Sequence, residues 1–374
     1  MLGKPDIQRL IQRQPDAPPI LSLYLDMSVG PDNRRSHLLF LNKQRAAVIE
    51  AEGERGRARR AALEEAFTRI EEWLETSYEE RNRGVAIFCD PEGTFFEAYQ
   101  FPRAVANRLV LQDRPAVAAL AEVLDQERRW VVAVIDREHL HLLCIFFDQV
   151  EEEQTFNPEP IPTRHAVQAG GYSQKDYQKR KAEETRHFFK DFAEELGRMV
   201  QRRHADGVVL LGTSDNLANF QDFLPPPLAQ RVVLAAPMPT GLTSAELVLH
   251  LAPALREVVE REEAEAVQAL LERVRQKHFA TGGFQDTLVQ LQEGKVDRLI
   301  IARDAEREGA QCTQCGFYLA TRDGGCPYCG GALRNGVDLV ESMVRMAAEQ
   351  EAHVEFVSGD PLHELRGVGA LLRF

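Results

Sequence analysis

The sequence predicts an α/β (α+β) protein of three successive domains, on three observations. Short apolar runs bounded by turn residues alternate with amphipathic helical stretches along most of the 374 residues. A heavily charged stretch, Glu257 to Glu265, sits inside a long helical pattern and marks the passage to a last block. Within that block, four cysteines fall in two close pairs. The domains are expected at 1–127, 128–262 and 263–374, with a cysteine ribbon at 310–333 inserted in the third.

In the first domain, residues 20–26 and 84–90 have the composition of strands, the second ending at a Pro91-Glu92-Gly93 turn before another apolar run. Two helices are expected between them, from about Ser36 to Glu50 and from about Arg60 to Tyr78. Their junction holds Arg55, Arg57, Arg59 and Arg60, so a helical hairpin with an arginine-rich tip follows. A charge run alone marks only a solvated turn. A short helix from Arg114 to Asp125 closes the domain.

The second domain opens on Arg129 to Asp136, an apolar run bounded by a turn, which pairs as a hairpin with His139 to Phe146. An acidic run, Glu151 to Glu153, follows. The stretch Gly170-Gly171-Tyr172-Ser173-Gln174-Lys175 then reads as an exposed loop, since paired glycines give access to positive φ and to close backbone approach. Taken by itself, such a pair serves the geometry of a β-to-α connection. The helix after it, from about Asp176 to Met199, places Phe188, Phe189, Phe192 and Leu196 near helical spacing and carries Lys175, Lys179 and Arg180 at its start. Residues 207–214 and 232–234 are further strands before a helix from about Ser244 to Val274. Strands alternating with helices imply an α/β unit with a largely covered sheet.

In the third domain a helix at 284–291, strands at 296–302, 353–357 and 368–374, and a helix at 338–350 surround the cysteines. Cys312 and Cys315, then Cys326 and Cys329, form two C-x2-C knuckles with ten residues between them and glycines after each pair. Four thiolates turned toward one point suit a structural zinc, with no coordination position left for catalysis. Disulfides are disfavoured in a reducing compartment, and an iron–sulfur cluster is disfavoured by the knuckle glycines. Cys89 and Cys144, each alone in an apolar run, read as core thiols. His139 and His141 lack partners at metal-ligand spacing.

The net charge of −13 argues against a non-specific coat on nucleic acid, which needs clustered Lys and Arg, but leaves room for local basic tips. No run approaches the roughly 18 apolar residues of a membrane span, and the start of the chain has no signal-peptide core. A cytoplasmic protein with no membrane partner is expected.

Taken in this order, the chain resembles the archaeo-eukaryotic class-1 peptide chain release factors and their Pelota relatives, over nearly its whole length. Leu21-Ser22-Leu23-Tyr24-Leu25 and the helical hairpin are similar to that family's decoding domain. Val131 to Asp136, the Gly170-Gly171 loop with its basic helix, and Leu210-Leu211-Gly212-Thr213-Ser214-Asp215 are similar to the domain that reaches the peptidyl-transferase centre. Phe284-Gln285-Asp286-Thr287-Leu288, Val340-Glu341-Ser342-Met343 and Gly367 to Arg373 are similar to the C-terminal domain. The resemblance implies that this domain has the kink-turn-binding ribosomal-protein-like fold, with a zinc ribbon inserted as in archaeal members.

Departures from the family pattern direct the functional expectation. Release factors carry Gly-Gly-Gln, whose Gln orders the attacking water; here Tyr172 takes that place and Gln174 falls two positions late. The stop-codon reader Asn-Ile-Lys-Ser is replaced by the arginine-rich junction. Leu109, Leu111 and Pro115 stand where the family has Tyr-x-Cys-x3-Phe. The resemblance therefore implies a monomeric factor of the ribosomal A site that does not read stop codons, as in hibernation factors among bacterial members of the superfamily. Delivery by elongation factor Tu or another translational GTPase is implied with it. In this reading Arg55, Arg57, Arg59 and Arg60 meet ribosomal RNA of the small subunit. Gly170, Gly171, Tyr172, Ser173, Gln174, Lys175, Lys179 and Arg180 meet that of the large subunit. Two alternatives stand beside it: a rescue hydrolase of peptidyl-tRNA with Gln174 as catalytic residue, and a Pelota-like factor that recognises stalled ribosomes with a GTPase.

Overall fold

A computed structural model describes residues 3–13, 18–29, 36–53, 56–158, 174–239, 241–321, 324–358 and 360–373, and every count or absence below concerns those residues. The chain divides into two units, one joining Met1–Gln126 with Glu262–Phe374, the other Glu127–Arg261. The first and third sequence segments thus share one unit.

The first segment runs α1 (Lys4–Ile11), β1 (Ile20–Asp26), α2 (His37–Gly53), α3 (Arg57–Thr76), β2 (Gly84–Cys89), β3 (Phe96–Phe101), β4 (Arg108–Gln112) and α4 (Ala118–Gln126). Its strands form one antiparallel sheet in the order β3-β2-β1-β4. Alternate residues of a strand face opposite sides, and β1 uses both. Leu21, Leu23 and Leu25 pack under the hairpin against Leu63, Phe67 and Ile70 of α3. Ser22 and Tyr24 point the other way: the Tyr24 hydroxyl donates to the Ala116 carbonyl at 2.5 Å, and the Ala116 N–H donates to Ser22 Oγ at 2.9 Å.

Three local expectations are corrected here. The last helix of the segment starts at Ala118, not Arg114, because Pro115 and the backbone around Ala116 are held against β1. The second hairpin helix starts at Arg57, so Arg57, Arg59 and Arg60 form its first turn rather than an irregular junction. Helix α1 and strand β4 were not expected: α1 interleaves its apolar residues with charged ones, and the apolar run of β4 is only Leu109-Val110-Leu111.

The second unit contains β5 (Trp130–Ile135), β6 (Leu140–Phe146), β7 (Gln149–Phe156), α5 (Gln174–Arg203), β8 (Gly207–Gly212), α6 (Ser214–Gln221), α7 (Pro226–Ala229), β9 (Val232–Pro237) and the first part of α8 (Ser244–Gln276). Its sheet has the order β7-β6-β5-β8-β9, parallel from β5 to β9 and antiparallel from β5 to β7. Helix α5 presents Phe188, Phe189, Phe192, Leu196, Met199 and Val200 to one face, where Val131, Ala133, Leu142 and Leu210 point. Helix α8 covers the opposite face, where Trp130, Val132, Leu143 and Val209 meet Leu247, Leu251 and Leu255. Burial on both sides explains the near-continuous apolar runs of β5, β6 and β8. The acidic run Glu151 to Glu153 is part of the edge strand β7. Its carboxylates are paired: Glu151 with Arg129 at 2.9 Å, Glu152 with Arg202 and Arg203 at 2.5 Å each.

The third segment adds β10 (Ala280–Gly282), α9 (Phe284–Gln292), β11 (Val296–Ala302), β12 (Glu308–Cys312), β13 (Tyr318–Leu319), β14 (Leu333–Asp338), α10 (Leu339–Glu349), β15 (His353–Val357) and β16 (Val368–Leu372). One sheet is ordered β10-β16-β11-β15, and the small ribbon sheet β13-β12-β14. The later part of α8 packs Ala266, Val267 and Leu270 against Ile300, Ala302 and Val357.

The seam between the first and third segments is polar. Glu341, fully buried in α10, accepts from the backbone N–H groups of Val117 at 2.6 Å and Ala118 at 3.0 Å, capping α4 from another helix. Asp338, the N-cap of α10, pairs with Arg108 of β4 at 2.7 Å. Asp125 accepts the Phe356 N–H at 2.7 Å, and Arg114 meets Glu349 at 3.0 Å. Among the described residues no helix is long and apolar enough to cross a membrane.

Candidate functional site

The arginine-rich tip is shaped by Gly56. Its φ of 131° lies in a region open to glycine but strained for side chains, and it turns the chain into α3. Arg57 and Arg60 are exposed; Arg60 reaches Glu64 one turn on, at 3.1 Å. The first turn of α3 contains no acidic residue. Cations at a helix N-terminus oppose its dipole, costing about 0.3–1 kcal/mol each when exposed. Arginines and free N–H groups together favour an approaching anion such as a phosphate. Arg55 lies outside the described residues.

Helix α5 begins at Gln174, two residues earlier than the sequence suggests. Gln174, Lys175, Lys179 and Arg180 occupy its first two turns, with their side chains outside the described set. Gly170, Gly171, Tyr172 and Ser173 lie outside the described residues altogether. The far half of the same helix is anchored by the phenylalanines of the core.

The four ribbon cysteines do come together. One sulfur from each of Cys312, Cys315, Cys326 and Cys329 lies within 4.8 Å of the others, with Cys312 to Cys329 at 3.5 Å and Cys315 to Cys326 at 3.6 Å. A tetrahedral shell with bonds of about 2.3 Å needs sulfurs about 3.8 Å apart, so the donor set fits a metal ion. Disulfide sulfurs would sit at about 2.05 Å, and all four cysteines are free thiols. Each knuckle closes on a backbone bond: Gly316 N–H to the Cys312 carbonyl, Gly330 N–H to the Cys326 carbonyl. Without a metal the four thiols share their protons: the N–H of Cys315 and then that of Gln314 hold the Cys312 thiol down, while those of Cys315 and Cys329 are pushed up.

The ribbon is tied to the helices beneath it. Gln292 of α9 accepts the Tyr318 N–H at 2.6 Å, Gln285 accepts that of Ala320 at 3.0 Å, and Arg345 of α10 donates to the Tyr318 hydroxyl at 2.6 Å. Cys89 and Cys144 are fully buried, and burial pushes both thiols up to about 12, so neither offers a thiolate. His139, in the turn before β6, bonds Asn157 at 2.7 Å, and His141 within β6 bonds Thr155 at 2.9 Å and lies 3.2 Å from Glu153. The Glu341 and Arg108–Asp338 contacts of the seam were not anticipated. Their one sequence signal is an acid inside the apolar run Leu339-Val340-Glu341-Ser342-Met343-Val344.

The hairpin-bearing antiparallel sheet, the doubly covered middle sheet with its long helix, and the ribbon-bearing last sheet make up a mixed α/β architecture, as the resemblance to release factors implies. Comparison with known families agrees: the model for bacterial archaeo-eukaryotic release factor family 10 matches residues 115–257, and that for eRF1 domain 3 matches residues 261–374. Between them these two release-factor models cover residues 115–257 and 261–374, and the chain belongs to the archaeo-eukaryotic release factor superfamily. Peptide chain release factor subunit 1 of Thermococcus kodakarensis is 26% identical over 266 residues, covering 60% of this chain and 61% of that protein. The same factor of Pyrococcus abyssi is 27% identical over 269 residues, with the same shares. The matched stretch thus spans about three fifths of these relatives. The solved structure of S. cerevisiae Dom34, a translation termination-like factor, is similar over 80% of this chain and 82% of that one, at 9% identity and a TM-score of 0.43.

Proposed function

We propose that the chain is a cytoplasmic, ribosome-associated factor that occupies the A site without reading stop codons, acting as a hibernation or protection factor. The observation that carries this reading is a substitution pattern within a release-factor superfamily chain: Tyr172 stands where the catalytic Gln of Gly-Gly-Gln would be, and arginines stand where the codon reader would be. Arg57, Arg59 and Arg60, clustered on the dipole-positive end of α3, are suited to phosphate rather than to base-specific readout. The basic start of α5 is suited to the same partner at the other functional end. In this reading a zinc ion on Cys312, Cys315, Cys326 and Cys329 supplies rigidity to the ribbon, and a translational GTPase such as elongation factor Tu delivers the factor.

One observation favours a second reading, hydrolysis of peptidyl-tRNA. Gln174 is the first residue of α5 and the glutamine that follows the Gly170-Gly171 pair most closely in sequence. Ribosomes carrying labelled peptidyl-tRNA separate the two. Binding without peptide release supports the protection factor, whereas release that disappears in Gln174→Ala replaces it with a rescue hydrolase. A guanine-nucleotide-dependent partner recovered only with stalled ribosomes would favour a Pelota-like role instead.

A further inference from the structure

The C-terminal half of α5 breaks two rules of helix composition at one place. Gly197 stands inside the helix, where glycine is the least favourable residue after proline, and packing does not ask for it. A Cβ there would touch only Leu228 Cδ2, at 4.0 Å. His204 stands just past the helix end with a φ of 50°, the left-handed position that glycine normally fills, and the Ala205 N–H closes the turn on the Val200 carbonyl at 3.0 Å. The helix thus carries a glycine where it costs and a side chain where a glycine would help. Local rules broken without gain to the fold point to a use.

Both residues line one surface groove of about 950 Å³ between α5 and α7. Its walls are apolar: Ala193, Gly197 and Val200 on one side, Pro225, Pro227 and Leu228 on the other. Two carboxylates at the groove are answered from within the chain. Glu194 pairs with Arg198 at 3.3 Å, which also meets Glu195 at 2.5 Å, and Asp206 accepts the Arg129 N–H at 2.8 Å. Arg231 is different: it donates to the Ala205 carbonyl at 2.8 Å and has no carboxylate partner among the described residues. The side chains of Gln201 and His204 beside it have no polar partner among those residues either. The one full charge left unanswered at the groove is positive.

We propose that this groove is a docking site for an acidic segment of a protein partner, an apolar side chain of that segment entering between α5 and α7 while its carboxylate meets Arg231 and His204. The missing Cβ at Gly197 lets a second backbone come close, and the apolar walls take up a side chain that water would otherwise surround. A sugar-phosphate chain finds no row of cations here, only a single free guanidinium, so RNA fits the groove poorly. The site lies at the end of α5 away from the Gly170-Gly171 loop and stands apart from the basic tips.

Fluorescence anisotropy on the full chain tests this with three labelled probes: a short helical peptide of leucine and glutamate, the same peptide with lysine in place of glutamate, and an oligouridine RNA. The glutamate peptide is expected to bind and the other two are not. Arg231→Gln keeps a donor for the Ala205 carbonyl but loses the charge, and should weaken the glutamate peptide by about tenfold or more. Gly197→Leu fills the groove and should abolish its binding. Gly197→Ala and His204→Gly should each raise the melting temperature, because each restores the residue that the helix rules favour. No binding of the glutamate peptide, equal binding of the lysine peptide, RNA binding that is lost in Arg231→Gln, undiminished peptide affinity in that variant, or a lower melting temperature in Gly197→Ala would each overturn the docking site.

Discussion

Phe192 is fully buried where α5 crosses the middle sheet, its ring 6.0 Å from Phe189 and 6.1 Å from Phe156. Removing it leaves a cavity that the close-packed strands cannot fill, so Phe192→Ala should destabilise the second unit by about 3–5 kcal/mol. Urea denaturation followed by a probe in that unit, such as Trp130 fluorescence, should show an earlier midpoint with the slope unchanged. Arg57 is the opposite case. It is exposed and the structure gives its side chain no ion pair among the described residues, so Arg57→Ala should change stability by less than about 0.5 kcal/mol. Any loss of ribosome binding in that variant then reports on contact rather than folding.

The ribbon gives its prediction at the level of an element. Its β-strands are short, and its knuckles converge on four sulfurs rather than on a core, so a metal held there would supply much of its order. The purified protein should carry about one equivalent of zinc. Chelation, or Cys326→Ser, should lower the melting temperature by roughly 5 °C, and the loss should spread to α9 and α10 through Gln292, Gln285 and Arg345. An unchanged melting curve after complete chelation would show the ribbon to be independent of metal. The cysteine spacing made this element legible from sequence alone, because ligand spacing is local. So were the doubly covered strands β5, β6 and β8, whose apolar runs exceed what a one-sided strand needs. Strand β7 was not legible: its glutamates look like a solvated run until Arg129, Arg202 and Arg203 arrive from elements up to 51 residues away. The same holds for the seam, where Glu341 finds its partners 223 and 224 residues distant. Sequence periodicity reports which face is buried, whereas pairing across such distances belongs to tertiary structure.

At the scale of the molecule, if an acidic chain of net charge −13 holds RNA through two basic tips, as proposed, affinity should fall with salt at a slope set by the number of phosphates those tips neutralise. Replacing Arg57, Arg59 and Arg60 together by alanine should reduce the slope of log affinity against log salt by about 2, and weaken binding whatever the codon in the A site. A change in slope confined to stop codons would instead mark codon reading. The most direct test of the central claim is co-sedimentation and peptide release measured together. Purified protein would be mixed with empty ribosomes and, separately, with ribosomes carrying labelled peptidyl-tRNA. The account predicts binding to empty ribosomes with no peptide released from charged ones. Peptide release that Gln174→Ala abolishes, or no binding to either ribosome, would contradict it.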